Sequence, residues 1–308
     1  MKHQLAGELV RALADFNLAI ALDPQQLSYL SSRAEVKQAL GDRPGALADY
    51  DQAVLQSRGS ANSYYVRARA RFDGSDLPGA LADFQEAARR EPLALEPHMG
   101  EAWVYEKQGN LYEALAEYTL VIQLNPDFAP AHGARGRLHL QRSELVPARR
   151  DAENVVRLLP GNFAAFQFRG EVKWRQGELA DAEVDFDEAI RLSKIPDAGI
   201  YADRGHVRDA QGNTAGALTD YAKALALKPG WLVVLLKRAD LKARTNDVEG
   251  ARADFNTVVK ANPRDPWAYL GRAQFQKNRG DFSAALADIG LAFKIQPDFV
   301  AGLQLRAE

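Results

Sequence analysis

The side chains in this sequence that could do chemistry are few, and their spacing limits what they could do. Histidine occurs at His3, His98, His132, His139 and His206. His132 and His139 would share a helix face, but they stand seven positions apart, whereas a two-histidine zinc motif needs its second ligand one turn away. His98 and His132 fall in equivalent places 34 residues apart, where satisfied packing in a core is the simpler reading. Cysteine is absent, which excludes disulfides and thiolate metal ligands. Carboxylate pairs such as Asp181 and Asp185 share a helix surface, where a solvated face or an ion pair is the default. There is no phosphate loop ending in Gly-Lys-Ser/Thr, no G-x-S-x-G and no HExxH. The expectation is a protein that is not an enzyme, with no catalytic residue, no cofactor and no metal.

One charge pattern is systematic. Arg33, Arg67, Arg135, Arg169, Arg204, Arg238 and Arg272 are each followed, sixteen positions on, by Asp49, Asp83, Asp151, Asp185, Asp220, Asp254 and Asp288. Such recurrence predicts a bridge that pins one helix to the next. An exposed pair contributes only about 0–1 kcal/mol, but removing one partner of a buried pair costs about 3–5 kcal/mol, so these charges read as structural. In the corresponding place of one unit Glu101 faces Glu117. Either that unit recruits another cation or it is a local weak point.

The elements that position these residues recur with them. Ala-Leu-Ala-Asp-aromatic appears at 12–16, 46–50 and 80–84, with a variant at 114–118, and returns in altered form at 182–186, 217–221, 251–255 and 285–289. The period is 34 residues, with one inserted residue before Ala217. Proline stands eight residues after most of the aromatics (Pro24, Pro92, Pro126, Pro160, Pro229, Pro263, Pro297), while Pro196 sits where the insertion must fall. Glycine stands five before most of the alanines (Gly7, Gly41, Gly109, Gly177, Gly212, Gly280), with Ser75, Ser143 and Asn246 as substitutes. Glycine ends a first helix by taking positive φ, and proline ends a second by refusing to continue it. Alanine and the aromatic lie four apart on one face, so the paired helices approach closely and the ring fills the gap. One hairpin cannot bury its apolar face alone, so neighbours must stack.

This period and these columns resemble the tetratricopeptide repeat, over essentially the whole chain; HEAT and armadillo repeats are longer. The resemblance implies an all-α, helix-turn-helix repeat solenoid, a right-handed superhelix of tetratricopeptide units, forming one array over 1–308. The phase gives a partial unit 1–26, units 27–60, 61–94, 95–128, 129–162, 163–197, 198–231, 232–265 and 266–299, and a partial unit 300–308. The chain departs from the family in lacking its leading Trp and in carrying Arg-Ala or Arg-Gly for Leu-Gly.

The resemblance also implies a function: a non-catalytic scaffold that binds a protein or peptide segment in a concave groove lined by first helices. Tyr65, Met99, Leu236 and Leu270 fall on one groove-side column, and Arg69, Trp103, Arg137, His206 and Asp240 one turn later. Trp and Arg are enriched in binding hot spots, which selects Tyr65, Arg69, Phe72, Met99, Trp103, Arg137, Trp174, Lys237 and Trp267 as groove residues. These rings could equally pack between helices. Some family members hold a C-terminal carboxylate in a Lys/Asn clamp on this face. The clamp is missing here, so a chaperone-tail receptor is not expected.

Lys plus Arg total 39 and Asp plus Glu 41, for a formal charge of −2. No basic stripe is visible, and nucleic acid is not an expected partner. No apolar run approaches the ~18 residues of a membrane span, and the first residues lack a signal-peptide pattern. No membrane insertion and a cytoplasmic location are expected. Both ends fall partway through a first helix, with Leu303 and Leu305 expected to lie exposed on a short stub. This predicts either a piece of a longer array or end-to-end self-association. The alternatives to a scaffold are a regulatory or substrate-presenting arm of a larger enzyme and a self-assembling structural array.

Overall fold

The computed structural model describes the backbone of residues 2–307 and the side chains of residues 7–307. Among them are eighteen helices and no strand. After α1 (Lys2–Leu22) the helices run in pairs. The first members are α2 (Leu27–Ala39), α4 (Ala61–Asp73), α6 (Leu95–Gln108), α8 (Ala129–Gln141), α10 (Phe163–Arg175), α12 (Ala198–Ala210), α14 (Leu232–Arg244) and α16 (Pro266–Asn278). Their partners are α3 (Arg43–Gln56), α5 (Leu77–Arg90), α7 (Leu111–Leu124), α9 (Leu145–Leu158), α11 (Leu179–Leu192), α13 (Thr214–Leu227), α15 (Val248–Ala261) and α17 (Phe282–Ile295), and α18 (Val300–Ala307) follows.

The turns have local causes. First helices stop where the chain enters the left-handed region, at Gly41, Gly109, Gly177, Gly212 and Gly280 with φ between 79 and 88°, and at Ser75, Ser143 and Asn246 with φ between 60 and 65°. Second helices restart on Asp42, Asp76, Asn213, Asp247 and Asp281, whose side chains accept a backbone N–H three residues on. Residues 193–197 connect α11 to α12 with one residue more than 125–128 between α7 and α8, so the insertion lies beside Pro196. Gly7 departs from the sequence expectation: it lies inside the continuous helix α1 rather than in a turn. A single glycine costs a helix only about 1 kcal/mol.

The chain divides into two compact units, residues 1–154 and 155–308. In the first, Tyr50, Phe84 and Tyr118 are buried against Ala34, Ala46, Ala68, Ala80, Ala102 and Ala114. In the second, Phe186, Tyr221, Phe255 and Ile289 play the same part against Ala182, Ala217, Ala239, Ala251, Ala273 and Ala285. Leu305 also departs from expectation. It is only 7% exposed, packed with Ala273, Ala285 and Ile289, because α18 lies against α16 and α17, whereas Leu303 is 43% exposed.

All seven Arg–Asp pairs form. In each, the guanidinium Nε and one Nη donate to the two carboxylate oxygens at 2.6–2.9 Å. This parallel geometry is the strong form of the interaction. The aspartates are at most 5% exposed. Four residues after the arginine, a second cation reaches the same carboxylate from Lys37, Arg71, Lys173, Arg208 and Lys242, at 2.7–2.9 Å. Gln276 holds that place in α16, and its Oε1 is buried without a hydrogen-bond partner. Gln276→Lys should remove the orphaned acceptor and add a cation for Asp288, raising stability by about 1 kcal/mol. The urea midpoint should rise with unchanged slope; a lower midpoint would contradict this reading of the second cation.

Candidate protein-binding face

First helices of successive pairs lie side by side. Within residues 1–154 α4 packs against α6, and within residues 155–308 α10 packs against α12, α14 against α16, and α16 against α18. Between them run clefts that hold several of the aromatics singled out by the sequence.

In the first unit, Phe72 of α4 and Trp103 of α6 face each other with ring centroids 6.5 Å apart. With Glu106, Lys107, Leu111 and Gln141 they line a cleft of about 740 Å³. Arg69 and Arg137 are exposed on α4 and α8. Tyr65 is half-buried, its ring 5.9 Å from the fully buried Phe84, so it does packing work as well. Met99 departs from the expectation: it is only 5% exposed, a member of the core cluster around Tyr118.

In the second unit three clefts adjoin. Trp174 stacks on His206 at 5.9 Å, and both line a 380 Å³ cleft with Asp209, Tyr221, Lys237 and Arg244. The next, about 480 Å³, runs from Leu236, Lys237 and Asp240 to Gln274 and Asn278. The third, about 340 Å³, is walled by Leu236, Trp267, Leu270, Gln304 and Leu305. Trp267 is 54% exposed, its ring edge-on to Phe299 at 5.0 Å. Lys237 is exposed, whereas Arg244 is tied to Asp209 and Asp240 at 2.9 Å each. Burial, helped by the Lys237 charge, lowers the His206 pKa and favours the neutral ring on which Trp174 stacks.

The face is therefore mixed: half-buried rings, fixed ion pairs and a few exposed cations, without converging groups that would activate a nucleophile. Leu236 and Arg244, each lining two of these clefts, were not among the selected residues. Leu236 stood on the groove column but looks like any core leucine in sequence, and Arg244 follows Asp240 by one turn, a pairing common on any helix surface.

Residues 32–94, 65–127, 169–230 and 236–298 match the Tetratricopeptide repeat family, most of the chain. The chain belongs to the tetratricopeptide repeat family. A segment of 85 residues is 35% identical to a tetratricopeptide repeat and J domain-containing co-chaperone of Fusarium oxysporum f. sp. lycopersici, covering 28% of this chain and 16% of that protein. The chain thus spans a small part of that relative. Among solved structures, a tetratricopeptide repeat protein from Parabacteroides merdae superposes with a TM-score of 0.65 at 19% identity, over 80% of this chain and 97% of the other. The APC/C hetero-tetramer Cut9-Hcn1 gives 0.60 at 13% identity, over 92% of this chain and 56% of the matched chain. These likenesses carry the fold. Tetratricopeptide arrays generally mediate protein–protein interaction. No helix among the described residues is long and apolar enough to cross a membrane.

Proposed function

We propose that this tetratricopeptide array is a scaffold that binds a polypeptide segment along its first helices. Within residues 1–154 apolar side chains of such a segment enter the cleft beside Trp103 with Phe72, near Arg69 and Arg137; within residues 155–308 they enter the clefts beside Trp174 and beside Trp267 with Leu236, near Lys237. The observation that carries this reading is the place of the tryptophans. The core aromatics occupy the alanine-facing column of the second helices, yet Trp103, Trp174 and Trp267 line open clefts on first helices, and Trp267 leaves half its surface to solvent. Aromatic anchors in surface pockets, ringed by polar groups, are the usual energetic centres of protein interfaces.

The test is a peptide selected from a displayed random library on the full chain, with its affinity measured against variants. Trp103→Ala, Trp174→Ala and Trp267→Ala should include at least one that weakens binding by about 10–100-fold, with the helical circular dichroism retained. Tyr112→Ala, on the exposed surface of α7, should change nothing. Full affinity in all three tryptophan variants would reject this face.

A further inference from the structure

The α6–α7 hairpin breaks the charge rule of its neighbours, and what replaces it is a set of metal ligands. Glu101 stands where seven other first helices carry arginine, and Glu117 where seven second helices carry aspartate. His98 joins them: its Nδ1 lies 3.0 Å from Glu117 Oε2. One ligand atom from each of His98, Glu101 and Glu117 can be chosen so that all lie within 4.8 Å of one another. His98 and Glu101 are three apart on α6, hence on one face, and Glu117 comes from α7 opposite. His98 and Glu101 are buried.

The histidine is held as a ligand should be. Its Nε2 lies 3.1 Å from the carbonyl oxygen of Pro92. A carbonyl can only accept, so Nε2 carries a hydrogen; Nδ1 faces the Glu117 carboxylate, to which it donates when protonated and beside which its lone pair is offered to a metal once that proton leaves. A metal-ligating imidazole is commonly held this way, its other ring nitrogen donating to a backbone carbonyl.

The neighbouring hairpin provides an internal control. His132 repeats the frame, with Nε2 2.9 Å from the Pro126 oxygen and Nδ1 3.0 Å from Asp151 Oδ1. There Arg135 completes it, donating to both oxygens of Asp151 at 2.9 and 2.7 Å. In α6–α7 the guanidinium is replaced by a second carboxyl group, so the hairpin has gained a ligand and lost its arginine.

We propose that a divalent metal ion of the zinc type binds between His98 Nδ1 and the carboxylates of Glu101 and Glu117, in the place a guanidinium holds in the other hairpins. One imidazole and two carboxylates suit zinc and its first-row neighbours, with a water as fourth ligand. Tetrahedral donors lie about 3.4 Å apart at metal distances near 2.1 Å, within reach of small rotations of the two glutamates. The ion pins α6 to α7, as the arginines pin their own hairpins.

The test is calorimetric titration of zinc chloride into the EDTA-treated full chain. Wild type should bind one equivalent, and its thermal midpoint should rise with zinc. Glu101→Arg installs the side chain of the sister hairpins; it should weaken zinc binding at least tenfold and make the midpoint insensitive to zinc. Should Glu101→Arg lose its helical signal, Glu101→Gln and His98→Phe are read instead, with the same tenfold criterion. Failure of wild type to bind one equivalent overturns the proposal. So does undiminished affinity in the folded Glu101 variant, which would place the metal elsewhere, for instance at His139 and Glu144, 2.6 Å apart.

Discussion

Asp220→Ala should destabilise the α12–α13 hairpin by about 3 kcal/mol. Asp220 is fully buried and accepts from Arg204 at 2.8 and 2.7 Å and from Arg208 at 2.8 Å. Removing it leaves two guanidinium groups in a desolvated space. Asp187, 2.5 Å from Arg204, and Glu183, 2.7 Å from Arg208, soften the loss, which puts the estimate at the lower end of the range for a broken buried pair. Replacing Arg204 and Asp220 together by Met and Leu should cost less, because only Arg208 then loses its carboxylate, and it keeps Glu183. Stability in a repeat array is local, so hydrogen exchange of α12 and α13 amides is the readout, with urea melts beside it. Equal losses in single and double variants would show that side-chain volume, not charge, holds the hairpin.

Phe84→Ala should cost about 3–5 kcal/mol, the transfer term plus the cavity left behind. Phe84 is wholly buried among Ala68, Ala80 and Val104, and Tyr65 leans on its ring. It also explains Gly100: a Cβ built there would stand 2.3 Å from the Phe84 ring. Gly100→Ala in the wild type should therefore lower stability by about 1–3 kcal/mol, although alanine is the better helix former. In the Phe84→Ala background the same substitution should become neutral or stabilising. Additive effects across the cycle would mean that the two positions do not share this space.

Much of this architecture is legible in the sequence because each turn is written in residue types with one physical use. Gly109 and Asn246 tolerate positive φ, Asp76 caps a helix, and Pro92 cannot extend one. The Arg–Asp bridge is legible because its spacing recurs without variation. Its second cation is hidden by chemical variety: Lys37, Arg71 and Gln276 hold one position, and only their placement shows that two of them serve the same purpose. The binding face is harder. Met99 and Leu236 share a column, yet Met99 is buried in the core around Tyr118, whereas Leu236 is half-buried and stands over Gly271 of the neighbouring first helix, where a Cβ would meet it at 2.5 Å. What the facing helix carries decides exposure, and a column read along one chain cannot show it. His98 is the sharpest case. As one of two histidines in equivalent places 34 residues apart it reads as packing, and only the direction of its two ring nitrogens reveals that it joins Pro92 to Glu117.

The claim on which the function rests is that polypeptide is bound by the first helices. Hydrogen–deuterium exchange of the full chain, with and without the selected peptide, tests it most directly. Protection should appear in two or more adjacent first helices among α4, α6 and α8, or among α10, α12, α14, α16 and α18, and leave the outer surfaces of the second helices unchanged. Protection confined to second helices such as α5, α7 or α13 would contradict the account.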